Sequence, residues 1–78
     1  MHTKFKRHQK VRLLIDPSTE YTDYFEDTAP VPIKKGMVGK INIILPNGQY
    51  HVEILDKNGQ PIAYVPMNEE YLEEVKEN

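Results

Sequence analysis

Residues 34–55 read KKGMVGKINIILPNGQYHVEIL, and this stretch decides the fold. From Met37, the positions Met37, Gly39, Ile41, Ile43 and Leu45 fall on one face, with Val38, Lys40, Asn42 and Ile44 on the other. After Pro46-Asn47-Gly48, Tyr50, Val52 and Ile54 share a face, with Gln49, His51 and Glu53 opposite. A period of two marks half-buried strands. Asn-Gly tolerates the positive φ of a tight hairpin turn. β-Branched residues, Gly and Pro all disfavour a helix here. Gly36 and Gly39 are expected to mark a bulge or bend that lets the strand curl. The sharper alternative for them is a close backbone approach to a ligand or nucleic acid.

Working outward, residues 10–15, KVRLLI, form a first strand with Val11, Leu13 and Ile15 inward and Arg12 outward. Asp16-Pro17 ends it, because Pro has no donor for a ladder. Residues 16–35, DPSTEYTDYFEDTAPVPIKK, make the one long connection. A connection of this length in a compact domain is functional or folded on itself. Its first half is acidic and aromatic; Ala29-Pro30-Val31-Pro32 should run extended. The aromatics can staple the loop over the sheet or form a recognition surface. Beyond the hairpin, Asp56-Lys57-Asn58-Gly59 is a second turn, and residues 60–66, QPIAYVP, form a further strand bracketed by prolines. The pattern leaves open whether Ile62 and Tyr64 or Ala63 and Val65 face the core. Asn68 then caps one helical turn over Glu69-Glu70, and Tyr71, Leu72 and Val75 return to the core. A longer helix to residue 78 is the alternative. The expected fold class is therefore all-β, with about five strands and one short helical turn near the C-terminus.

The 78 residues suit one small domain, residues 10–76, preceded by a basic flexible arm at residues 1–9. Without Cys, neither a disulfide framework nor a thiolate metal site can form. No apolar run approaches the roughly 20 residues of a membrane span. The basic start is followed by only five apolar-rich residues, VRLLI, too few for a signal core. The chain is thus expected to be cytoplasmic and off the membrane. The net charge of −2 hides blocks. Lys4, Lys6, Arg7, Lys10 and Arg12 carry the start, and Asp16, Glu20, Asp23, Glu26 and Asp27 carry the loop. The end is acidic again, with five Glu after Val65 against Lys76. Such blocks permit local sites of either sign.

The order strand, long loop, hairpin, turn, strand, helical turn, short strand resembles an SH3-like small barrel over residues 10–76. Gly36-Met37-Val38-Gly39-Lys40-Ile41 resembles the glycine motif of KOW-type barrels of ribosomal and transcription factors. VRLLIDPS at 11–18 and residues 50–54 are similar to a ribosomal large-subunit barrel, although those relatives are basic and this chain is acidic. The span from Gly36 to Leu72 looks closest to small prokaryotic SH3-like domains of uncharacterised function. Tyr21-Thr22-Asp23-Tyr24 and the Pro66 to Tyr71 segment resemble parts of a proline-peptide groove, without its central Trp. Residues 10–14 with 68–75 are also similar to a small photosystem accessory barrel, whose dock would need basic rather than acidic loops.

Catalysis needs a nucleophile, acid or base with oriented partners. His2 and His8 lie in the arm, His51 on an outward strand position, and Ser18 outside any nucleophile elbow. The glycines precede a strand rather than a helix, so no phosphate loop is expected. The acids at 16–27 do not match a calcium loop. The expectation is a non-catalytic protein-interaction module, an accessory subunit or adaptor, with no cofactor and no metal. Its candidate binding residues are Tyr21, Asp23, Tyr24, Phe25, Glu26 and Tyr71: aromatics supply contact area, and acids steer a basic partner. The alternative is a nucleic-acid-binding KOW-like barrel using Lys4, Lys6, Arg7, Arg12, Lys34, Lys35 and Lys40.

Overall fold

A computed structural model describes residues 4–26 and 30–76. The chain is all-β: β1 (Lys10–Leu13), β2 (Asp23–Tyr24), β3 (Val38–Ile44), β4 (Gln49–Leu55), β5 (Pro61–Asn68) and β6 (Leu72–Glu74). They form one antiparallel sheet in the order β2-β5-β4-β3-β1-β6. Two single 3₁₀ turns, Thr19–Tyr21 and Glu69–Tyr71, are the only helical elements among the described residues. The count exceeds the expected five strands because the long loop contributes β2, which pairs Asp23 with Tyr64 and Tyr24 with Ala63. The expected closed barrel does not form. No ladder joins edge strands β2 and β6, which hold two and three residues and cover the outer sides of β5 and β1.

The hairpin forms where the alternation places it. On β4, Tyr50, Val52 and Ile54 are buried, and Gln49, His51 and Glu53 take the other face. Gly48 sits at φ 86° in the turn. On β3 the alternation breaks in the middle. Ile41 pairs with Val52 but Ile43 pairs with His51, so Asn42 is an extra residue and the ladder bulges there. One inserted residue reverses every later side chain. Ile43, expected inside, is therefore 47% exposed, and Ile44, expected outside, packs on the core. Gly36 occupies the turn before β3 with φ 92°, and Gly39 stays in register opposite Ile54 and Val11. A Cβ at Gly39 would lie 2.7 Å from both the Glu53 carbonyl oxygen and Val52 Cγ1. The close approach that this glycine permits is thus to strand β4.

On β5, Ala63, Val65 and Met67 face the core, and Tyr64 and Pro66 face away. Ile62 is buried as well, because the register shifts between Ile54 and Leu55. Asn68 precedes the second 3₁₀ turn without a side-chain cap; its Oδ1 accepts instead from Gln49 Nε2. The longer C-terminal helix is not formed: Leu72 is buried in β6, and Tyr71 stays 36% exposed. Ile15, expected inward, is exposed beyond the end of β1.

The core gathers Val11, Leu13, Ile41, Tyr50, Val52, Ile54, Val65 and Leu72 with Phe5 and Ile33 from outside the strands. Residues 4–9, expected to be a flexible arm, lie against the sheet. Phe5 is 1% exposed and meets Tyr50 edge-on, ring centroids 5.5 Å apart. His8 N–H donates to the Ile41 carbonyl, and Ile41 N–H donates to that of Gln9, which prolongs the β1 edge along β3. The long loop is tied at both ends. Gly36 N–H donates to the Leu13 carbonyl, Lys35 N–H to Asp16 Oδ1, and the Tyr24 hydroxyl to the Val31 carbonyl. Asp27 and Ala29 of that loop lie outside the described residues.

Candidate functional site

The buried half of each strand fixes what the other half presents. Because Val11, Ile41, Val52 and Val65 point inward, their neighbours line up on the outer face. The ladder registers place Lys10, Lys40, Glu53, Tyr64 and Asp23 in one row across β1, β3, β4, β5 and β2. One step along the strands, Ile43, His51 and Pro66 form the next row. Side chains in such rows are contact neighbours.

An aromatic run crosses these rows diagonally. His51 stacks on Tyr64 at 4.7 Å between centroids, and Phe25 lies against Tyr64 at 5.0 Å with its ring tilted by 39°. Phe25 is held there by its N–H donating to the Ile62 carbonyl, which extends β2 by one bond. The Asn42 side-chain amide contacts His51 Nδ1 at 3.0 Å. The bulge therefore does two things. It turns Ile43 outward and it supplies the Asn42 that orients the imidazole. Half-buried rings joined this way form a rigid aromatic surface with low ordering cost on binding.

The candidate residues read from the sequence divide among separate surfaces. Asp23 and Phe25 belong to the outer face, at its β2 end, and Glu26 is exposed in the turn that follows. Tyr24 points the opposite way, packs on the core and anchors the loop through Val31. Tyr21 is 64% exposed in the first 3₁₀ turn, where the Ser18 hydroxyl accepts from Glu20 N–H. Tyr71 lies beside the opposite edge strand, and among the described residues no hydrogen bond or ring contact joins it to the loop aromatics. Of the basic candidates, Arg7 Nε donates to the Asn42 carbonyl at 3.2 Å, and Lys40 is exposed in the row beside Glu53. Lys6 is exposed too. Arg12 is engaged in an ion pair with Glu73 at 3.2 Å. Lys34 and Lys35 lie at the turn before β3, where their backbone N–H groups bond Met37 Sδ and Asp16. Lys4 N–H donates to Glu69 Oε2.

His51, Tyr64, Asn42 and Pro66 were missed as a group. Their outward positions could be read, but their adjacency depends on the register between β3, β4 and β5. Among the described residues no group of His, Asp and Glu has a metal-binding arrangement, and no helix is long and apolar enough to cross a membrane.

A second polar cluster lies at the arm. Glu69 Oε2 accepts from the Tyr50 hydroxyl at 2.5 Å and from Lys4 N–H at 3.1 Å, and the Tyr50 oxygen accepts from Phe5 N–H. The Tyr50 bond, then the Lys4 bond, hold the Glu69 carboxyl below its ordinary value of 4.5. Burial, then the bond to Glu69, pushes the Tyr50 hydroxyl up. A depressed carboxyl stabilises the fold above its unfolded value, and that contribution is lost as pH falls through the lower folded value. Docking of residues 4–5 should thus hold at pH 5 and loosen below 4.5. In an NMR pH titration the Phe5 amide should shift with a midpoint below 4.5, and Glu69→Gln should remove that step. A midpoint at or above the ordinary value would contradict the bonding.

No protein-family model, curated protein or solved structure matches this chain.

Proposed function

We propose that the chain is a non-catalytic protein-interaction module of SH3-like connectivity, an adaptor or accessory subunit that binds through the outer face of β2, β5, β4 and β3. The connectivity reading rests on the order β6-β1-β3-β4-β5 with a 3₁₀ turn between β5 and β6. The carrying observation is the packed run of Phe25, Tyr64 and His51 on the side of the sheet away from the core. Exposed Ile43 and half-buried Pro66 widen it. Asp23 borders one end, Arg7 and Lys40 the other. An aromatic centre inside a charged rim is the anatomy of a protein interface: the centre supplies affinity, the rim orientation and rate. Among the described residues the one side-chain hydrogen-bond partner of His51 is the Asn42 amide, which supports a binding role over general-base chemistry.

The test is affinity capture from an extract of the source cells, with wild-type, Phe25→Ala/Tyr64→Ala and Tyr71→Ala baits. The double variant should lose captured partners at least 10-fold, while Tyr71→Ala keeps them. Undiminished capture by the double variant would reject this face.

A second reading, binding of nucleic acid, is favoured by Lys6, Arg7 and Lys40 at the basic border. It requires a steep loss of affinity with salt and a dependence on Arg7 and Lys40. Oligonucleotide binding that survives physiological salt and falls with Arg7→Gln would replace the protein reading.

A further inference from the structure

Across β3, β4, β5 and β2 the charges of one row are arranged so that these four strands are complementary to themselves, with Lys10 on β1 outside the overlap. Counting across β3, β4, β5 and β2, one row reads Lys40, Glu53, Tyr64, Asp23. A cation stands at one end and an anion at the other. Consider a two-fold axis lying in the interface plane, parallel to the strands and running between β4 and β5. It sets β3 of one copy over β2 of the next, and β4 over β5. Lys40 then meets Asp23 of the second copy, and the Glu53 carboxylate meets the Tyr64 hydroxyl. In the next row His51 meets Pro66. The exposed Ile43 comes to the side of the exposed Tyr21, and Phe25 to the side of the half-buried Val38.

We propose that this face takes a second copy of the same chain as its partner, in an isologous two-fold dimer. This rests on the reading of the outer face as a protein-binding surface and names one occupant for it. An isologous interface repeats each contact twice, so a self-complementary row gains doubly from one ion pair. Face-to-face sheets accommodate their twist by crossing at about 30°. Four strands spaced about 4.8 Å apart and three rows about 7 Å apart make a patch of modest size. At roughly 400 Å² per copy, about 800 Å² in total, it lies below the standard size of specific interfaces, so association should be weak and visible at about 0.1 mM and above.

Sedimentation velocity from about 10 µM to 2 mM tests this, with circular dichroism to confirm that each variant folds. The wild-type mass should rise toward the dimer. Lys40→Asp alone and Asp23→Lys alone should each weaken association at least 10-fold. The exchanged pair Lys40→Asp/Asp23→Lys should return it to within about 3-fold of wild type, because each anion again meets a cation. A monomer at 2 mM, or a dimer indifferent to both single variants, would overturn the inference. If the chain is monomeric and capture of another protein still depends on Phe25 and Tyr64, the outer-face reading stands and only the self-partner falls. If capture is independent of those residues as well, both fall.

Discussion

Phe5→Ala should cost about 3–5 kcal/mol of folding stability, the range for truncating a buried Phe. Phe5 is 1% exposed and packs edge-on against Tyr50, so its removal leaves a cavity at the centre of the core. A domain of this size has only about 4–12 kcal/mol in total, so the variant should be largely unfolded or close to it. In urea denaturation the midpoint should fall steeply, and Phe5→Leu should recover more than half of the loss by refilling the cavity. Deletion of residues 1–5, which removes the ring, should cost at least as much as Phe5→Ala. An unchanged midpoint would mean that the arm contributes nothing to the core. Exposed-residue changes such as Lys6→Ala should stay within about 0.5 kcal/mol.

Gly39→Ala should cost about 2–3 kcal/mol through overpacking rather than a cavity. Its φ is unremarkable, so the penalty is steric. The new methyl would lie 2.7 Å from the Glu53 carbonyl oxygen and from Val52 Cγ1, and a backbone atom cannot turn away as a side chain can. The β3–β4 ladder would have to separate at the row that carries Lys40 and Glu53. Gly39→Val should be worse, and Gly36→Asn should be mild, because nothing lies within 4 Å of a Cβ there and Asn tolerates positive φ. Thermal melts of the three variants should rank Gly39→Val below Gly39→Ala, and both below Gly36→Asn. An equal effect at Gly36 and Gly39 would contradict the steric account.

These two residues mark where the sequence could be read and where it could not. The β4 face was legible because its alternation runs unbroken from Gln49 to Ile54 between two Asn-Gly turns. Phe5 was not, because a lone aromatic among Lys4, Lys6, Arg7 and His8 has no periodicity, and its burial depends on a distant ring at Tyr50. The bulge at Asn42 was hidden for a related reason. INII fits a continuous alternation as well as an interrupted one, and only the partner strand decides between them. Residues 62–66 gave a similar ambiguity, resolved when the register shift at Leu55 buried both Ile62 and Ala63.

The candidate site was half legible for the same physical reason. The acidic aromatic loop drew attention to Asp23 and Phe25, which do border the outer face. Composition could not tell that Tyr24 turns inward, or that Tyr64 and His51 are the rings Phe25 joins. A site built across strands is written in registers, which are properties of pairing rather than of any one segment. Tyr71 was grouped with the loop on aromatic character and on the groove resemblance, and the strand order puts it beside the other edge.

The most direct test of the outer face as the interaction surface is site-specific photo-crosslinking in living source cells. A photoreactive phenylalanine analogue would replace His51 in one variant and Tyr71 in another, since both positions are open to solvent at least in part. Light-dependent protein adducts should form from position 51, at the mass of a second copy or of another protein, and not from position 71. Adducts from position 71 alone, with none from position 51, would contradict the account.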